Sequence, residues 1–124
     1  TMGRYYNGDI EGKFWFAVQS SDDADFFGVE GTSGFLHYHF DEDDLPNIKK
    51  GIETCFEELG LYHMRLKSYF EQNNGYNSSE LSEHLKISEN KLTDFLQWYA
   101  RLELGQKIRS CVERTGECSF EAEL

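Results

Sequence analysis

The chain has 124 residues, a net charge of −11 and 39% apolar residues, with ten Phe, seven Tyr and two Trp. That is long enough and apolar enough for one domain spanning 1–124 with a core of its own. A single Pro argues against a flexible linker, no apolar run approaches the ~18 residues of a membrane span, and the acid excess opposes direct nucleic-acid binding.

The first element in chain order is a strand. Between Asp9 and Gln19, Ile10, Phe14, Phe16 and Val18 alternate with Glu11, Lys13, Trp15 and Gln19, a period of two. Asn7-Gly8-Asp9 ahead of it is turn chemistry, and Gly12 marks a bulge. A polar, acidic loop follows, with Asp22, Asp23 and Asp25 exposed and Phe26-Phe27 tucked beneath it. A second strand runs over Phe35–Phe40. Leu36, Tyr38 and Phe40 share one face, and Phe35, His37 and His39 the other.

The stretch from Leu45 to Phe70 reads as one long central helix. Leu45, Ile48, Ile52, Cys55, Leu59, Tyr62, Leu66 and Tyr69 are spaced by three and four without a slip, the seam of one helix face. Pro46 suits a first turn, Asp41, Glu42, Asp43 and Asp44 suit the positive end of the dipole, and Gly60 is a weak point inside the helix. Asn73-Asn74-Gly75 stops it. Asn77 with Glu80 has capping-box spacing and starts a short helix to about Lys86. Ser88 caps the next, whose apolar residues Leu92, Phe95, Leu96, Tyr99 and Leu102 continue past Gly105 to Ile108, Cys111 and Val112. From Glu117 to Leu124, Cys118, Phe120, Ala122 and Leu124 alternate with Glu117, Ser119, Glu121 and Glu123 as a third strand. The expected fold is α+β, a small three-stranded antiparallel sheet packed against a helical bundle.

Burying one face of that sheet leaves the other open. Trp15, Lys13, Phe35, His37, His39, Glu121 and Glu123 fall on it, and Tyr5-Tyr6 or a second copy of the chain are candidate covers. His37 and His39, two apart on a strand, point the same way and would need a third ligand such as Asp23 or Asp25 to hold a metal ion. Asp22, Asp23 and Asp25 fall short of the calcium-loop pattern. Cys55, Cys111 and Cys118 are odd in number and lack CxxC spacing, which fits reduced, buried thiols in a cytoplasmic protein. No nucleophile elbow, P-loop or dinucleotide fingerprint is present. The expectation is therefore a non-enzyme without cofactor or metal, with a metal-dependent hydrolase as the most distant alternative.

Charge is unevenly spread. Residues 1–44 hold ten acids against Arg4 and Lys13, a field that draws basic protein surfaces. With Trp15, Phe35, His37 and His39 as anchors and Asp22, Asp23, Asp25 and Asp41 to Asp44 around them, the expected function is docking onto a basic protein partner, one that itself binds nucleic acid included. Self-association through the same face is the rival.

Two resemblances add to this. Residues 80–96, with Leu81, Leu85, Ile87, Leu92 and Leu96 at apolar contact positions and Ser82 at the small position, resemble a helix-turn-helix. That resemblance implies a DNA-binding regulator presenting Asn90, Lys91 and Thr93 to bases. It departs at Lys86, where the family keeps Gly, and Glu89 and Asp94 oppose phosphate. The stretch from Gly3 to Phe16, running into Gln19 to Gly28, resembles small uncharacterised proteins encoded by bacterial viruses. It implies a viral accessory or inhibitor role and no particular activity.

Overall fold

A computed structural model describes residues 5–13, 22–31, 36–73 and 76–122. The fold is α+β, with an antiparallel sheet on one side of four helices. Strands β1 (Tyr5–Gly8), β3 (Leu36–Asp41) and β4 (Glu117–Ala122) form its body, and a two-residue β2 (Gly12–Lys13) hangs on the edge, in the order β2-β1-β4-β3. β1 is thus a strand that lies ahead of the expected Asp9–Gln19 one. Of the described residues 9–13 of the expected Asp9–Gln19 strand, Gly12–Lys13 is strand, paired with Tyr5 and Tyr6 of β1, and residues 14–21 lie outside the described residues.

β3 and β4 pair over their full length, from Leu36↔Ala122 to Asp41↔Glu117. The inner face is aromatic. Tyr38 and Phe40 lie nearly parallel to Phe120 across the strands, at centroid distances of 5.3 and 6.2 Å, and Tyr6 meets Phe120 edge-on at 5.7 Å. Tyr6 thus belongs to the core and does not cover the open face. β1 crosses β4 closely at Gly8, where φ is +132° and a methyl group would fall 2.6 Å from the Ser119 carbonyl oxygen. Only glycine satisfies both constraints.

The seam expected over 45–70 does face the core: Ile48, Ile52, Cys55, Leu59 and Leu66 are buried. It belongs to two helices, α1 (Leu45–Leu59) and α2 (Tyr62–Gln72), because Gly60 at φ +53° ends the first. Gly60 bends the chain without changing which side is apolar. The central helix is instead α4 (Glu89–Thr115), 27 residues long, which touches α1, α2, α3, β3 and β4. Tyr99, Ala100, Leu102, Leu104 and Gly105 are all buried, so its middle is covered on several sides and shows no single apolar face. Its N-terminus is capped by Ser88, whose hydroxyl accepts from Lys91 N–H at 3.2 Å. Short α3 (Ser78–Leu85) precedes it, capped by Asn77 accepting from Glu80 N–H at 3.2 Å.

A 3₁₀ turn over Asp23–Phe27 locks this assembly. Phe27 is fully buried where α1 meets α4, opposite Gly51 and Gly105. A methyl group on Gly51 would lie 2.7 Å from Phe27 Cδ1, and one on Gly105 would overlap the ring outright. Both helices lack a side chain there, and the space that leaves is filled by the Phe27 ring.

Candidate protein-interaction surface

The period of two in β3 and β4 turns Leu36, Tyr38, Phe40, Cys118, Phe120 and Ala122 toward the helices. It therefore turns His37, His39, Glu117 and Glu121 away from them, all exposed. Register makes these residues cross-strand partners. His37 Nε2 lies 3.2 Å from Glu121 Oε1, an ion pair when the imidazole is protonated, with both side chains about half exposed. His39 Nδ1 and Ser119 Oγ share a 2.5 Å hydrogen bond in the next pair. Such pairs hold the side chains in place on an open surface at little cost.

At one end of this face the chain turns from β3 into α1 through Glu42–Asp44. Asp41 accepts from Asp43 N–H at 2.9 Å and Asp44 accepts from Asp41 N–H at 2.9 Å. Those two carboxylates are thus occupied with capping the turn. Glu42 and Asp43 remain exposed, and Asp41 is paired with Glu117 across the ladder. The acid density here comes from Glu42, Asp43 and Glu117. The alternating tail already marks Glu117 as outward-facing, yet its place beside the Asp41 turn follows only from the register.

The other acidic cluster is built differently, and two expectations for it need correction. Asp23 is not a solvated loop residue. It is buried at 5% exposure, with Arg101 Nε donating to its Oδ1 at 2.8 Å. Arg101 is itself stacked, its Cζ 4.8 Å from the Phe26 centroid and 4.5 Å from that of Trp98. Asp25 ties the loop to the sheet, accepting from the Tyr38 hydroxyl at 2.5 Å and from Gly31 N–H at 3.1 Å. Burial and this carboxylate together push the Tyr38 phenol far above its ordinary pKa. Asp22, the third of them, is exposed, and its carbonyl accepts from Asp25 N–H at 2.9 Å.

This placement also separates Asp23 and Asp25 from the histidines. The 3₁₀ turn packs on α1 and α4, and Asp25 reaches an inner-face tyrosine, whereas His37 and His39 are on the outer face. Neither carboxylate can join both imidazoles on one ion. Among the described residues no three His, Cys, Asp or Glu side chains converge as a metal site. Trp15 and Phe35, the expected aromatic anchors, lie outside the described residues, as does Glu123.

The helix pair of residues 80–96 has the expected local form. Leu81, Ser82, Leu85, Leu92 and Leu96 are buried, and the turn between α3 and α4 is made by Lys86 in the left-handed conformation, φ +58° and ψ +46°. Lysine thus adopts the conformation for which the helix-turn-helix family keeps glycine. Asn90, Lys91, Thr93, Glu89 and Asp94 are all exposed on the first turns of α4.

No family model, no curated protein and no solved structure matches the chain. Among the described residues no helix is long and apolar enough to cross a membrane.

Proposed function

We propose that this is a small acidic interaction protein that docks on the basic surface of a protein partner through the outer face of β3 and β4. The observation that carries the reading is the pairing of that face: exposed His37, His39 and Glu121 are held in register, with exposed Glu42, Asp43 and Glu117 at its end. A surface of this kind steers association with a cationic partner and makes it salt-sensitive. Slow dissociation needs apolar anchors, a role assigned to Trp15 and Phe35. The resemblance of the N-terminal stretch to bacteriophage-encoded proteins favours an accessory or inhibitor role acting on a host protein, including one that binds nucleic acid.

The test is a pull-down from host lysate at low and raised salt. It compares wild type, Trp15→Ala, the triple charge reversal Glu42→Lys/Asp43→Lys/Glu121→Lys, and a control reversal of exposed Glu57 and Glu58 on α1. A basic partner retained by wild type and control but lost by the other two supports the reading. No partner, together with a dimer that Trp15→Ala dissolves, assigns the face to self-association.

A second reading is duplex-DNA binding by α3 and α4, favoured by the formed turn at Lys86 and the exposed Asn90, Lys91 and Thr93. Glu89 and Asp94 on the same turns and the −11 net charge oppose it. It requires a mobility shift on duplex DNA at moderate salt that Lys91→Ala weakens.

A further inference from the structure

A cleft of about 470 Å³ runs between α2 and the end of α3, lined by Met64, Arg65, Ser68, His84 and Lys86. In a chain with 23 acids against 12 Lys and Arg, no carboxylate lines it. Neither Arg65 nor Lys86 has a carboxylate within 4.0 Å among the described residues. Two of the side chains are held by rings: Arg65 Cζ lies 5.7 Å from the Tyr62 centroid, and the His84 ring lies 5.8 Å from that of Tyr69.

The rim is apolar. Leu61 at the bend is 85% exposed and Met64 is 66% exposed, the two most exposed large apolar side chains among the described residues. Lys86 adds an independent observation. A non-glycine residue at φ +58° costs about 1 kcal/mol relative to glycine. A cation is kept at the mouth of the cleft at that cost, and an outlier of this kind points to a use for the side chain.

We infer that this cleft docks an acidic, amphipathic segment of a partner protein, its carboxylates meeting Arg65 and Lys86 and its apolar side chains covering Leu61 and Met64. Charge complementarity selects an anion, and the apolar rim selects a peptide over a phosphate backbone, which would leave Leu61 and Met64 bare. The whole-molecule charge works the same way, because it repels a long polyanion far more than a short peptide. The site is separate from the β3–β4 face and opposite in sign.

The test uses fluorescence anisotropy of a labelled peptide of interspersed Leu and Glu, with a Leu/Gln peptide of the same length as control. Wild type is expected to bind the Glu peptide saturably and more weakly as salt rises. Arg65→Glu and Met64→Ser each weaken it by about tenfold. Lys86→Gly weakens it similarly while raising the thermal midpoint, so loss of fold cannot explain the loss of binding. Reversal at Glu42, Asp43 and Glu121 leaves it unchanged, which separates this result from the fate of the sheet face. Absent saturable binding, equal affinity for the Leu/Gln peptide, or no effect of Arg65→Glu overturns the proposal. So does a duplex oligonucleotide that binds more tightly than the peptide at the same salt, or sedimentation showing a dimer that Arg65→Glu disperses.

Discussion

Arg101 Nε lies 2.8 Å from Asp23 Oδ1, joining the middle of the central helix to a loop 78 residues earlier. The two partners are unequally desolvated: the Asp23 side chain is 4% exposed and that of Arg101 is 23% exposed. Removing the cation takes the ion pair from a buried anion, whereas removing the anion leaves a guanidinium that still reaches water and its two aromatic neighbours. Arg101→Ala should therefore cost about 3 kcal/mol or more, and Asp23→Asn about 2 kcal/mol. The double variant should lose less than the sum. Urea unfolding of the three proteins checks this, and a double variant that loses the full sum of the two single losses would show that the pair is not coupled.

The junction of α1 and α4 is the most sensitive packing point. Alanine is the better helix former by about 1 kcal/mol, so on propensity alone Gly105→Ala would stabilise α4. Its methyl group would overlap the fully buried Phe27 ring, and overpacking of this kind costs about 1–3 kcal/mol. We expect a net lowering of the thermal midpoint, relieved in part by adding Phe27→Leu. A rise in the midpoint would contradict this packing.

The Phe27 junction also shows what sequence can and cannot reveal. The outward direction of His37 and His39 is legible because a strand has period two, and the Asn77 and Ser88 caps are legible because capping is local. The apolar seam over 45–70 is legible too, but not the break within it, since Tyr62, Leu66 and Tyr69 keep facing the core after Gly60 turns the backbone. The central role of α4 is hidden because a helix buried on several sides loses its amphipathic signature. Asp23 reads as loop acid because its partner lies far along the chain. β1 is four residues containing Asn7 and Gly8, and so reads as a turn.

His63 should make stability pH-dependent. Burial, reinforced by Lys67 and only partly offset by Glu103, holds its pKa below the ordinary 6.5. Between the folded and unfolded values the unfolded chain binds more protons, so stability rises with pH there. The contribution is intact above about pH 6.5 and is lost as pH falls below it. Urea midpoints measured from about pH 7 to about pH 5 should decline in wild type and decline less in His63→Gln. Parallel slopes would exclude His63 as the source.

The three cysteines are free and buried. Burial pushes the Cys55 thiol up to about 12 and the Cys118 thiol higher still. Because the thiolate is the reactive form and burial shuts all three side chains from the reagent, a thiol reagent at mildly alkaline pH should label no cysteine quickly in the native protein and all three in urea. A fast native phase would place a thiol at the surface.

The central claim, docking through the outer face of β3 and β4, is tested most directly by amide hydrogen exchange, measured on the protein alone and saturated with the partner captured at low salt. The account predicts added protection at residues 36–44 and 117–122 and around the proposed anchors Trp15 and Phe35, abolished by the Glu42/Asp43/Glu121 reversal and retained when Glu57 and Glu58 are reversed. Protection confined to α2, α3 or the start of α4, with residues 36–44 and 117–122 unchanged, would contradict it.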